Sequence, residues 1–131
     1  MTWDDVREEL QRRYVVVADE AATHGHLGWT GLRIAVETAD GTRDVMVNHS
    51  DTGSRTYVCA FARLATLGEA DVIAALGAVS GYADLAVTAI PDDLLLLRAT
   101  TPLEELTPDA IPGFLDGTLL WAATVREVAG R

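Results

Sequence analysis

The stretch that most constrains this chain is its last third, residues 83–129, where the spacing of apolar residues changes from two to a helical period. Leu85, Val87 and Ala89 alternate with Ala86, Thr88 and Ile90, Pro91-Asp92-Asp93 interrupts, and Leu94-Leu95-Leu96-Leu97 follows. Proline fixes φ and removes a backbone donor, so the pattern predicts two strands joined by a tight turn. Four leucines are too short for a membrane span and suit a central strand covered on both faces. Arg98-Ala99-Thr100-Thr101-Pro102 is expected to end that strand. Thr107 then reads as an N-cap, with Pro108 at the first helical position and Asp109 beside the positive end of the helix dipole. Ile111, Phe114, Leu115, Thr118, Leu119, Ala122, Val125 and Ala129 recur at helical spacing, Pro112 delays the regular helix by a few residues, and Gly130 can stop it. One face of a helix this long must be buried, and a sheet is the surface able to take it.

Upstream, Trp3 to Arg13 reads as a helix capped by Thr2, with Asp4 and Asp5 in its first turn and Arg12 and Arg13 in its last. Its apolar stripe is Trp3, Val6 and Leu10, which either packs on the sheet or forms a partner surface. Tyr14 to Ala18 is β-rich and reads as a strand or extended segment, whereas Asp19 to Thr30 loses periodicity and reads as a loop. Leu32 to Thr38 alternates, Asp40-Gly41 is a two-residue hairpin signal, and Arg43 to Asn48 alternates again. Thr56 to Arg63 completes a three-strand meander. Gly68-Glu69-Ala70-Asp71 opens a short helix through Val72, Ile73, Leu76 and Val79, which Gly81 closes. The fold class is α+β: an antiparallel sheet in helix-βββ-helix-ββ-helix order, with one extra extended piece near Tyr14. Residues 1–131 form a single domain.

A chain of 131 residues can bury a core without disulfides or metals. Its lone Cys59 fits a reducing compartment, no apolar run spans a bilayer, and no basic stretch leads into a hydrophobic one at the N-terminus, so a cytoplasmic location is expected. A net charge of −10 opposes a sequence-independent grip on nucleic acid. All ten basic residues are arginine, a bias that a GC-rich genome explains.

No stretch arranges a nucleophile, a base or a phosphate cradle. His24 and His26, with His49 and Asp51, match no metal-site signature, so neither a bound metal nor a cofactor is expected. Cys59 has Tyr57 and Phe61 as alternate neighbours and is expected to point into the core or its margin rather than to act as a nucleophile. Gly25-x-x-Gly28-x-x-Gly31 lacks the dinucleotide spacing, and a strand, not a helix, follows it. Glu104-Glu105 and Asp92-Asp93 read as solvated acidic pairs at turns, and Trp29 and Trp121 as packing residues.

The order of elements has a further implication. A helix, a meander ending in Phe61-Ala62-Arg63-Leu64-Ala65-Thr66-Leu67-Gly68, a short helix, a strand pair with Leu94 to Leu97, and a closing helix after Thr101-Pro102-Leu103 resembles the type III secretion chaperone-like fold. Within that superfamily it looks most like the YbjN and Tir-chaperone-like branch, over residues 3–128. The resemblance implies a small, acidic, dimeric protein without catalytic residues that binds an extended segment of a client protein. It places the chain as a chaperone or adaptor for another bacterial protein, in secretion or interbacterial conflict. The alternative is a small enzyme or ligand-binding domain with a pocket near His24, His26 and His49. Val72, Ile73, Leu76 and Val79 make the short helix apolar on more than one face, so it calls for two covers, its own sheet and a second copy of the chain. Trp3, Val6, Leu10, Val72, Ile73, Leu76 and Val79 are the candidate partner-binding residues.

Overall fold

The computed structural model describes residues 1–19, 31–66, 68, 71–90 and 94–129. The loop containing His24, His26 and Trp29, the Pro91-Asp92-Asp93 turn, Glu69, Ala70 and Gly130 lie outside them. Among the described residues the chain runs α1 (Trp3–Arg13), β1 (Val15–Asp19), β2 (Leu32–Thr38), β3 (Gly41–Asp51), β4 (Thr56–Thr66), α2 (Val72–Val79), β5 (Leu85–Ile90), β6 (Leu94–Pro102) and α3 (Ile111–Ala129). The six strands form one sheet in the order β1-β2-β3-β4-β6-β5, every neighbouring pair antiparallel. This is the expected α+β class, with one correction: four strands, not three, precede α2. Val15 to Val17 lacks the alternation of a half-buried strand, and β1 sits at the sheet edge, where among the described residues β2 is its ladder partner.

Local chemistry sets the helix ends. Thr2 and Asp5 form a capping box, the Thr2 N–H donating to the Asp5 carboxylate at 2.8 Å and the Asp5 N–H to the Thr2 hydroxyl at 3.2 Å. Hydrogen bonding to the Asp5 carboxylate, from the Thr2 backbone N–H first and the Thr2 hydroxyl second, holds that carboxyl below its usual range. At the other end Arg12 and Arg13 both reach Glu9 and lower its carboxyl in turn. The α2 cap is Asp71, whose carboxylate accepts from the Ala74 N–H at 3.0 Å, so the helix starts at Val72, later than the sequence pattern placed it. Pro108–Ala110 forms a 3-10 turn without a Thr107 side-chain cap, and regular helix begins only at Ile111, the delay expected from Pro112.

The strand of four leucines is longer than expected, continuing through Thr100 and Thr101 to Pro102, which pairs with Tyr57. Proline is tolerated there because it closes the strand. Leu95 and Leu97 are buried while Leu94 and Leu96 are half-buried, so β6 is covered fully on one face only.

That face holds the core. Ile34, Val45, Ala62, Leu97 and Val87 lie in register across five strands, and Leu115, Ala122 and Val125 of α3 complete the same cluster. The alanines in the middle of β4 let α3 approach the sheet closely. Val6 and Leu10 of α1 and Ala75 and Val79 of α2 belong to that cluster too, so all three helices lie on one side of the sheet.

Gly31, just before β2, shows how tightly the strands meet. A Cβ there would stand 2.6 Å from the Val47 carbonyl oxygen and 3.1 Å from the Asn48 Cβ. Backbone cannot move aside without separating β2 from β3, so Gly31→Ala is expected to cost about 1–3 kcal/mol, the usual range for overpacking. A urea-denaturation midpoint equal to that of the parent protein would contradict this.

Candidate partner-binding surfaces

The residues singled out in the sequence separate into two groups. Val6 and Leu10 are each 1% exposed and lie in the chain's own core. The α1 stripe is therefore taken up by the sheet, since its 3.6-residue period matches a core-facing helix. Trp3, at the end of that stripe, is half-buried and stacks on His49 with ring centroids 5.0 Å apart. On α2 the periodicity divides the same way: Val79 is buried and Val72 half-buried, but Ile73 is 83% exposed and Leu76 also faces solvent. Ile73 and Leu76 are thus the members of the set that a partner could touch.

The sheet edges add a surface that the sequence pattern did not mark. β1 is one edge, and Val15, Val16 and Val17 are all exposed along it, Val15 at 71%. No lysine or proline interrupts them, although a register shift between Val16 and Ala18 bends the strand. Arg7 of α1 pairs with Asp19 and ties the end of this edge to the helix layer. The signal that could have found the edge is the run of three β-branched residues directly after a helix.

The chemical candidates have settled surroundings. Beyond Trp3, His49 has Asp51 beside it, Nδ1 to carboxylate oxygen 3.8 Å. Cys59 is buried on the sheet face away from the helices, and burial pushes its thiol up, away from the reactive thiolate. Glu104 and Glu105 are not merely solvated: Arg55 donates to them at 2.6 and 3.4 Å, which pins the β3–β4 hairpin to the turn after β6. Trp121 packs edge-on against Tyr82, centroids 4.5 Å apart, beside a small cleft lined by Leu85, Phe114 and Gly117. Among the described residues no cluster of three or more His, Cys, Asp or Glu is placed to hold a metal, and no helix is long and apolar enough to cross a membrane.

No protein-family model matches the chain, and no curated relative matches it in sequence. In structure it is similar to a chain of the HopA1-SchA chaperone-effector complex, with a TM-score of 0.56 over 95% of this chain and 89% of that one, at 15% identity. A likeness of that extent at so low an identity is one of fold: the α+β architecture described above is shared with that chain.

Proposed function

We propose that this chain is a non-enzymatic protein-binding module of the YbjN and Tir-chaperone-like kind, a cytoplasmic chaperone or adaptor for another bacterial protein in a secretion or interbacterial conflict setting. It works as a homodimer and takes an extended segment of its client. The observation that carries the reading is that β1 is an edge of the sheet among the described residues and exposes three valines. An unpaired strand edge offers a row of N–H and C=O groups, and an extended peptide satisfies them by adding a strand. The structural neighbour, a chaperone with its effector, supports the same class of function. The ligand-pocket alternative has less behind it, because His49 is engaged by Trp3 and Asp51.

A chaperone's client is commonly encoded beside it, so co-expression with the neighbouring gene products tests the reading. The parent protein is expected to retain one of them through purification. Val15→Lys with Val17→Lys places solvated charge on the edge and is expected to reduce that retention at least tenfold while leaving the circular dichroism spectrum unchanged. Equal retention by the variant would exclude the β1 edge as the binding element.

A further inference from the structure

With all three helices on one side, the opposite face of the sheet carries one row that crosses all six strands. Ala18 of β1, Arg33 of β2, Met46 of β3, Phe61 of β4, Arg98 of β6 and Ala86 of β5 lie directly opposite one another in register. Residues in register share a face, and so do residues two apart along a strand. Arg63, two beyond Phe61 and opposite Leu96, therefore joins the same face.

Arg33, Arg63 and Arg98 are exposed, and none makes an ion pair among the described residues. Arg43 and Arg126 also lack an ion pair there, but each donates to a backbone carbonyl, Arg43 to that of Thr42 and Arg126 to that of Arg63. Arg7, Arg12, Arg13 and Arg55 all reach carboxylates. The cross-strand neighbours of Arg98 are Phe61 and Ala86, and Ala18 and Met46 flank Arg33, where a single glutamate would have satisfied either guanidinium. Among the described strand residues two carboxylates share the face, Glu37 and Asp44, both toward the β2–β3 hairpin, and Glu37 already accepts from the Thr42 hydroxyl. Between the arginines the surface is apolar: Met46 and Leu96 are half-buried and Phe61 is nearly covered.

We propose that this face binds an acidic extended segment of a partner protein, with two carboxylates on Arg33 and Arg98 and an apolar side chain between them over Met46. The spacing specifies the segment. Arg33 and Arg98 lie three strand spacings apart, about 14 Å, while side chains four residues apart on an extended chain are separated by about 13 Å and face the same way. A chain crossing the strands with the pattern acidic-x-apolar-x-acidic matches the row. Guanidinium–carboxylate pairs are directional and strong enough to define such a register. The overall negative charge does not prevent this, since at physiological salt charges beyond about 8 Å are largely screened and the local arginines dominate. The inference rests on the protein-binding reading but not on the β1 edge.

Fluorescence anisotropy of a labelled eleven-residue peptide centred on Glu-Val-Leu-Val-Glu, added to the full chain, tests it. Binding is expected with a dissociation constant on the order of tens of micromolar, about −6 kcal/mol, weakening severalfold between 50 and 300 mM salt. The same peptide with lysine in place of glutamate is expected to bind at least tenfold more weakly. Arg33→Gln and Arg98→Gln should each weaken binding three- to tenfold, whereas Arg12→Gln should not. These side chains are exposed, so each single variant is expected to keep the parent's circular dichroism spectrum. Equal affinity for the glutamate and lysine peptides, or arginine variants that bind as the parent does, would overturn the proposal. So would a single-stranded oligonucleotide of similar length binding as tightly, since that marks a general polyanion surface. If the peptide fails while a client is still retained through the β1 edge, the acidic-segment inference falls and the protein-binding reading stands.

Discussion

Leu97→Ala is expected to destabilise the protein by about 3 kcal/mol, within the 2–5 kcal/mol range for emptying a buried leucine site. Leu97 is fully buried, in register between Ala62 of β4 and Val87 of β5, beneath α3. The neighbouring side chains cannot fill the space it leaves, because Ala60, Ala62 and Ala99 are short and the backbone of three paired strands is held by its own ladder. Such a loss is a large part of the 5–15 kcal/mol that a domain has, and in a chain of this size corresponds to a fall in Tm of roughly 10 °C. Leu96→Ala, one residue earlier and on the half-covered face, should cost less than about 1.5 kcal/mol by the same reasoning. Urea denaturation with unchanged slope measures both. Equal losses at the two positions would mean that the helices do not select one face of β6.

The second large effect concerns self-association. In the proposed homodimer, Ile73 and Leu76 of α2 are the contact, and the Ile73→Asp, Leu76→Asp double variant is expected to raise the dimer dissociation constant at least a hundredfold. Fully burying an isoleucine or leucine contributes about 1.5–3 kcal/mol. A two-fold contact counts each side chain twice, while the cost of association must still be subtracted. Aspartates at the same positions would be desolvated opposite one another across the two-fold axis, which adds repulsion to the lost burial. Folding should be little affected, because both side chains face solvent and Ala75 and Val79 anchor the helix. Light scattering at tens of micromolar should give twice 14.0 kDa for the parent and 14.0 kDa for the variant. A monomeric parent at that concentration would exclude the dimer and leave client binding untouched.

Much of this architecture was legible from local pattern. Thr2, the acidic first turn and the terminal arginines mark α1 to the residue, because capping and dipole effects act within one turn. Alternation located β2 and β3, β4 followed as the third strand of the meander, and the helical period with Pro112 located α3 and its late start. Elements whose stability comes from their own residues, or from one apolar face, announce themselves.

What tertiary structure alone decided is of another kind. The β-branched run Val15 to Val17 marked an extended piece, but its place beside β2 at the sheet edge came only with the pairing. Nothing in a helical wheel says which apolar face meets the sheet; the packing of α2 against α3 and β5 buried Ala75 and Val79 and left Ile73 outside. Arg33, Met46, Phe61 and Arg98 are far apart in sequence and belong to four strands. Their alignment depends on the register of three separate pairings, and a slip of one residue in any of them would turn that strand's side chain to the helix face. Apolar spacing along one strand determines which of its residues face the core, but contact between strands is a long-range property, and the surface it creates exists only once the sheet is assembled.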